Sequence, residues 1–154
     1  MPKLLRAVRL DDSDEHVFRE CGAARDGEWL VTGGYAVCDF DTAPRCDPAC
    51  HCESSFVALA SKSRCSIAEV AEASDEEVAD QVDALAWHLV RAWSAPSYEA
   101  ARAVAEEELA HTAEVCETLA PDVWITVRRR RAPDGDLKEQ YSVYDRLMIG
   151  SHTL

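Results

Sequence analysis

The 154-residue chain has little positive charge: 16 Lys and Arg stand against 29 Asp and Glu, a formal net charge of −13. Holding phosphates by electrostatics needs a basic surface, so this imbalance argues against nucleic acid as a partner. A long apolar run is also missing. No window approaches the roughly 18–20 apolar residues of a membrane-spanning helix, and no membrane partner is expected. The opening MPKLLRAVRLDD has too short an apolar stretch for a secretion signal and no small-residue cleavage site, so a cytoplasmic protein is expected. The familiar catalytic signatures are absent as well, with no G-x-G-x-x-G, phosphate loop, G-x-S-x-G or H-E-x-x-H. That leaves an enzyme open but shifts the balance towards binding.

What is present is ordinary globular composition, 47% hydrophobic and 29% charged, in a chain of one-domain size with no repeat or linker. The organising stretch is residues 74–119, which reads as a pair of helices. Ser74 followed by Glu77 is a capping box, in which each side chain satisfies a backbone N–H that the helix start leaves orphaned. Val78, Val82, Leu85, Leu89 and Trp93 then recur at spacings of three and four and share one face. Pro96 breaks the pattern, Ser97 caps a second helix running to about Leu119, and Pro121 stops it.

Strands are expected on either side of the pair. Lys3 to Leu10 reads as one, and Val17-Phe18 as the start of a short second. Asp26-Gly27 is a turn, since glycine supplies a positive φ. Glu28 to Phe40 is rich in β-formers, with Gly33-Gly34 marking a bulge or bend. Residues 41–53 read as a loop, Ser55 to Ala60 as helix or strand, and Cys65 to Ala73 as a strand. Val123 to Arg131, the turn Pro133-Asp134-Gly135 and Leu137 to Tyr144 form a hairpin within 122–145. The expected fold of this single domain, 1–154, is α+β: a mostly antiparallel sheet with two consecutive long helices on one face and a C-terminal β-hairpin.

Four features could carry chemistry. Arg128 to Arg131 alternate along a strand, and are read as a charged, solvated edge rather than an anion patch. Cys38, Cys46, Cys50 and Cys52, with His51, fall within 15 residues. Thiolates and imidazole suit Zn²⁺ or an iron–sulfur cluster, although C-x7-C-x3-C-x-C lacks the usual C-x2-C knuckle. The plainer reading is a reduced loop with incidental cysteines. On the second helix, Tyr98, Ala101, Val104, Ala105, Leu109, Thr112, Cys116 and Leu119 form an apolar arc. Glu108 projects into its middle, with His111 at its edge.

A carboxylate there needs pairing, so Glu108 is expected to meet a backbone group or arginine at the sheet. Glu108 and His111 could instead act as acid and base in a small enzyme. Their E-x-x-H spacing is that of di-iron bundles, but such a site would need a homodimer to supply its remaining ligands. Trp87 lies opposite the apolar face of the first helix beside Asp80, Asp83 and Arg91. It lies under a loop or it anchors a partner.

The segments KLLRAVRLDDSDEHVF, GEWLVTGGYAV and AARAVAEEELAHTAEVCE together resemble a family of small bacterial proteins of unknown function. That family opens with KLLR, a hydrophobic pair and RLD-x-SD-x-x-VF, continues with GEW, and carries a late EEE helix and a C-terminal hairpin. The resemblance spans most of the chain. It implies a cytoplasmic protein without assigned activity and an accessory role beside molybdenum-dependent oxidoreductases. Cys46 to Cys52 depart from the family pattern. The expected function is therefore a non-catalytic accessory protein that binds another protein with a basic patch, in the assembly or function of a redox metalloenzyme. Metal binding through the cysteine cluster is the alternative.

Overall fold

The computed structural model describes residues 2–18, 22–33, 54–61, 63–134 and 137–145. Among these, strands β1 (Lys3–Val8), β2 (Trp29–Val31), β3 (Phe56–Ala58), β4 (Arg64–Cys65), β5 (Ile67–Glu72), β6 (Trp124–Arg131) and β7 (Leu137–Tyr144) form one sheet. Its order is β4-β3-β2-β1-β5-β6-β7, antiparallel throughout. Helices α2 (Asp75–Ala92) and α3 (Tyr98–Cys116) follow one another between β5 and β6. The fold is the α+β arrangement expected, down to the β6–β7 hairpin.

The helix boundaries follow from capping chemistry. Ser74 Oγ accepts from the Glu77 N–H at 3.1 Å, and Glu77 Oε1 accepts from the Ser74 N–H at 3.0 Å, completing the capping box. Ser97 Oγ accepts from the Ala100 N–H at 3.1 Å and starts α3. At the far end of α3, Lys3 Nζ donates to the carbonyls of Glu117 and Leu119. A cation from β1 thus satisfies carbonyl groups beyond the helix terminus, where the dipole favours positive charge.

Alternation along the strands divides the core in two. Leu4, Val31 and Val57 point to one face, against Val82, Leu85 and Leu89 of α2 and Ala101, Ala105 and Leu109 of α3. Leu5, Ala7, Leu30, Phe56, Ala58, Ala68, Val70, Ile125 and Val127 point to the other and pack on one another, joined by Cys116. The sheet curls to make the second cluster. In a flat sheet β2 and β6 would lie roughly 14 Å apart, three strand spacings and well beyond the reach of an arginine. Yet the Arg129 guanidinium on β6 donates to the Thr32 carbonyl just past β2.

The structure departs from the sequence reading in several places. Val17 and Phe18 begin no strand: Ser13–Val17 is the short helix α1, opened by Asp11, whose Oδ1 accepts from the Ser13 N–H at 2.8 Å. Ser55 to Ala60 resolves as strand, at β3. Of the strand expected over Glu28 to Phe40, β2 covers Trp29–Val31 and residues 34–40 lie outside the described residues; Gly33 follows β2 at φ +86°, and an added Cβ would lie 2.7 Å from Val57 Cγ2. Only glycine fits both the backbone angle and the space. Val104 is 47% exposed, because α3 buries a narrower stripe of Ala101, Ala105, Leu109, Thr112 and Cys116. The arginine run needs a correction at one position: the β5 register reaches only Trp124 and Ile125, so the run pairs with β7 and Arg128 and Arg130 are exposed as a solvated edge predicts, but Arg129 is 2% exposed.

Candidate functional site

The strongest concentration of polar chemistry lies where α3 meets the ends of β2, β6 and β7. Ile125, Val127 and Arg129 share one face of β6 by alternation, so the third position delivers an arginine into a buried site. Its Nε donates to Glu139 Oε2 at 2.7 Å and its Nη1 to the Ser55 carbonyl at 2.7 Å, while Nη2 donates to the Thr32 carbonyl. Glu139 stands opposite Arg129 in the hairpin register and accepts through Oε1 from, or pairs with, His111 Nε2 at 3.2 Å. A planar guanidinium with its donors aimed in three directions is the side chain suited to such a junction.

Burial by itself would raise the Glu139 carboxyl. The hydrogen bond and charge of Arg129, helped by His111, outweigh it and hold the group below the usual carboxylate range. Tyr141, next on the same face of β7, is pushed well up, first by burial and then by the Glu139 charge. Its hydroxyl has no hydrogen-bond partner among the described residues.

Glu108 meets the sheet as expected, at a backbone group. Its Oε1 accepts from the Thr32 hydroxyl at 2.8 Å and from the Gly33 N–H at 3.2 Å. One turn on, Thr112 Oγ1 donates to the Glu108 carbonyl at 3.0 Å and accepts from the Thr32 N–H at 3.3 Å. Together these bonds fasten the end of β2 to α3. Glu108 and His111 therefore do not converge: one serves β2, the other β7. Among the described residues, no group of three or more His, Cys, Asp or Glu is placed to hold a metal ion. Cys38, Cys46, Cys50, Cys52 and His51 lie outside the described residues.

Cys65 and Cys116 are free and buried, and burial raises both thiols to about 12, so neither is an activated thiolate at neutral pH.

Trp87 stands on the solvent side of α2, 42% exposed. Its ring lies 4.9 Å from that of Tyr98, centroid to centroid, and the Arg91 guanidinium sits 5.5 Å above it. Tyr98 in turn donates its hydroxyl to Asp83. The indole is thus held in place by its neighbours while a large part of it faces water. The helix pair as a whole is acidic: residues 74–119 carry 11 Asp and Glu against two Arg, net −9 of the chain's −13.

The sequence singled out Glu108, His111 and Trp87, grouped Arg129 with the solvated arginines, and gave no sign of Glu139 or Thr32. The apolar parity of Ile125 and Val127 was the available signal, since it places Arg129 on the inner face. The hairpin register then sets Glu139 opposite it.

These features define an α+β protein with a curled antiparallel sheet whose inner polar groups are bonded to one another across the curl. The chain belongs to a family of unknown function, DUF6505, whose model matches residues 1–149. No curated protein and no solved structure matches it. No helix among the described residues is long and apolar enough to cross a membrane.

Proposed function

We propose that this protein is a non-catalytic accessory protein that binds another protein through the outer face of its helix pair. The carrying observation is Trp87, 42% exposed and held against Tyr98 and Arg91 on an acidic helix pair. An aromatic anchor whose position is fixed before binding loses little conformational freedom on contact, and a charged rim around it supplies orientation. The polar groups that could have served as acid and base have structural partners instead: Glu108 on Thr32 and Gly33, Glu139 on Arg129 and His111.

The partner in this reading carries a basic patch that meets the acidic helix pair, residues 74–119, whose net charge is −9. The family resemblance points to a redox metalloenzyme as its class. Electrostatic complementarity raises the association rate and is screened by salt, so binding weakens as ionic strength rises. The test is affinity capture from cytosol with wild type and Trp87→Ala, followed by titration of the purified partner. Loss of an anchor residue costs about 2 kcal/mol or more in binding, whereas the melting temperature of the variant alone should change little. A partner whose affinity is indifferent to both Trp87→Ala and salt removes this reading.

A further inference from the structure

The hairpin holds a second feature that the helix-pair reading leaves unused. On the face of β6 and β7 opposite Arg129, the strand register gathers Arg128, Arg130 and Lys138. Arg130 stands directly opposite Lys138, and Arg128 opposite Gln140. Like charges directly opposed across two strands repel. None of the three has an ion pair or hydrogen bond among the described residues, although the chain carries 29 carboxylates. They line a groove of about 840 Å³ together with Ala132, Pro133, Glu139 and Gln140. Glu139 does not neutralise them, because its two oxygens are engaged by Arg129 and His111. In a protein of net charge −13, three cations without an ion pair among the described residues thus stand around one groove.

The geometry points to a binding site for a compact polyanion, a di- or triphosphate group, in this groove. Arg128 and Arg130 are two residues apart on one strand, roughly 7 Å, and the cross-strand step to Lys138 is roughly 5 Å. That triangle matches adjacent charges on an oligophosphate better than the long regular array of a nucleic-acid backbone. The two guanidiniums offer forked donors to phosphate oxygens, and the lysine adds a mobile point charge. The groove has the size usual for a small-molecule site. The phosphates could belong to inorganic oligophosphate or to a nucleotide. The site lies on the hairpin, separate from Trp87, so it stands or falls independently of the helix-pair reading.

The experiment is calorimetric titration of the full chain at low ionic strength with tripolyphosphate, repeated with a nucleoside triphosphate and with a single-stranded oligonucleotide. Tripolyphosphate is expected to bind with one site per chain. The exposed pair Arg128→Gln/Arg130→Gln should weaken it at least tenfold without altering the circular dichroism spectrum, and Arg102→Gln on α3 should leave it unchanged. Arg128→Lys/Arg130→Lys, which keeps the charge but loses the fork, should bind with intermediate affinity. A nucleoside triphosphate binding at least tenfold tighter than tripolyphosphate would assign the phosphates to a nucleotide; equal affinity would assign them to the free anion. Absence of binding by tripolyphosphate, equal loss in Arg102→Gln, or tighter binding of the oligonucleotide overturns the proposal.

Discussion

Replacing Arg129 with methionine tests the account of the curled sheet most directly. The change keeps much of the side-chain volume but removes three sets of donors at once: those to Glu139, Ser55 and Thr32. Breaking a buried ion pair by deleting one partner costs about 3–5 kcal/mol, because the remaining charge stays desolvated. Here the Glu139 side chain is 18% exposed and keeps His111, which places the expected loss in the lower part of that range, about 3–4 kcal/mol. In urea, with a slope of about 2 kcal/mol per M, the midpoint should fall by roughly 1.5–2 M. The double variant Arg129→Met/Glu139→Leu should be more stable than Arg129→Met alone, since no charge is stranded. It should still fall short of wild type by about 1–2 kcal/mol, for the carbonyls of Thr32 and Ser55 lose their donor. An Arg129→Met cost below about 1 kcal/mol, or a double variant as damaged as the sum of the singles, would refute the reasoning.

The pH dependence has a definite sign. The folded Glu139 carboxyl lies below its unfolded value of about 4.5, so its contribution is complete above that value and is lost as pH falls through the lower folded one. Glu139→Gln should therefore flatten the acid limb of a stability–pH curve recorded by chemical denaturation, and an unchanged limb would contradict the pairing. Gly33→Ala forces a side chain into φ +86° and against Val57, so thermal melts should show a loss of about 1–2 kcal/mol or more. Adding Val57→Ala should relieve the clash without restoring wild-type stability, because the backbone angle stays unfavourable.

What could be read from the sequence was what the chain decides locally. Ser74-x-x-Glu77 and Ser97 specify their helix starts within four residues, and each lies where expected; of the turn Pro133-Asp134-Gly135, Gly135 lies outside the described residues. Glu108 was recognisable as a misfit in an apolar arc, and the misfit itself predicted a bond to the sheet. Val17-Phe18 failed for the opposite reason: a single helical turn is too short to display a period, and the Asp11–Ser13 turn decided it. Among the arginines, Arg129 failed because the curl of the sheet is not written in local sequence. β5 pairs with β6 only at Trp124 and Ile125, so it is the approach of Thr32 and Ser55 across the curl, and not a second flanking strand, that buries Arg129. Arg129 finds its carbonyl partners 97 and 74 residues away, a distance over which no local pattern operates.

Those separations have a bearing on how the chain is assembled during synthesis. β1, β2, β5 and both helices emerge first and can bury the Leu4 and Val31 side of the sheet. The outer border of β5 and the carbonyls of Thr32 and Ser55 then wait for the hairpin, which leaves the ribosome after them. Until Arg129 arrives, the nascent domain presents an open strand and a half-lined interior, the surface most prone to mispairing with a neighbouring chain. The arginine works as a latch, delivered after the elements it fastens.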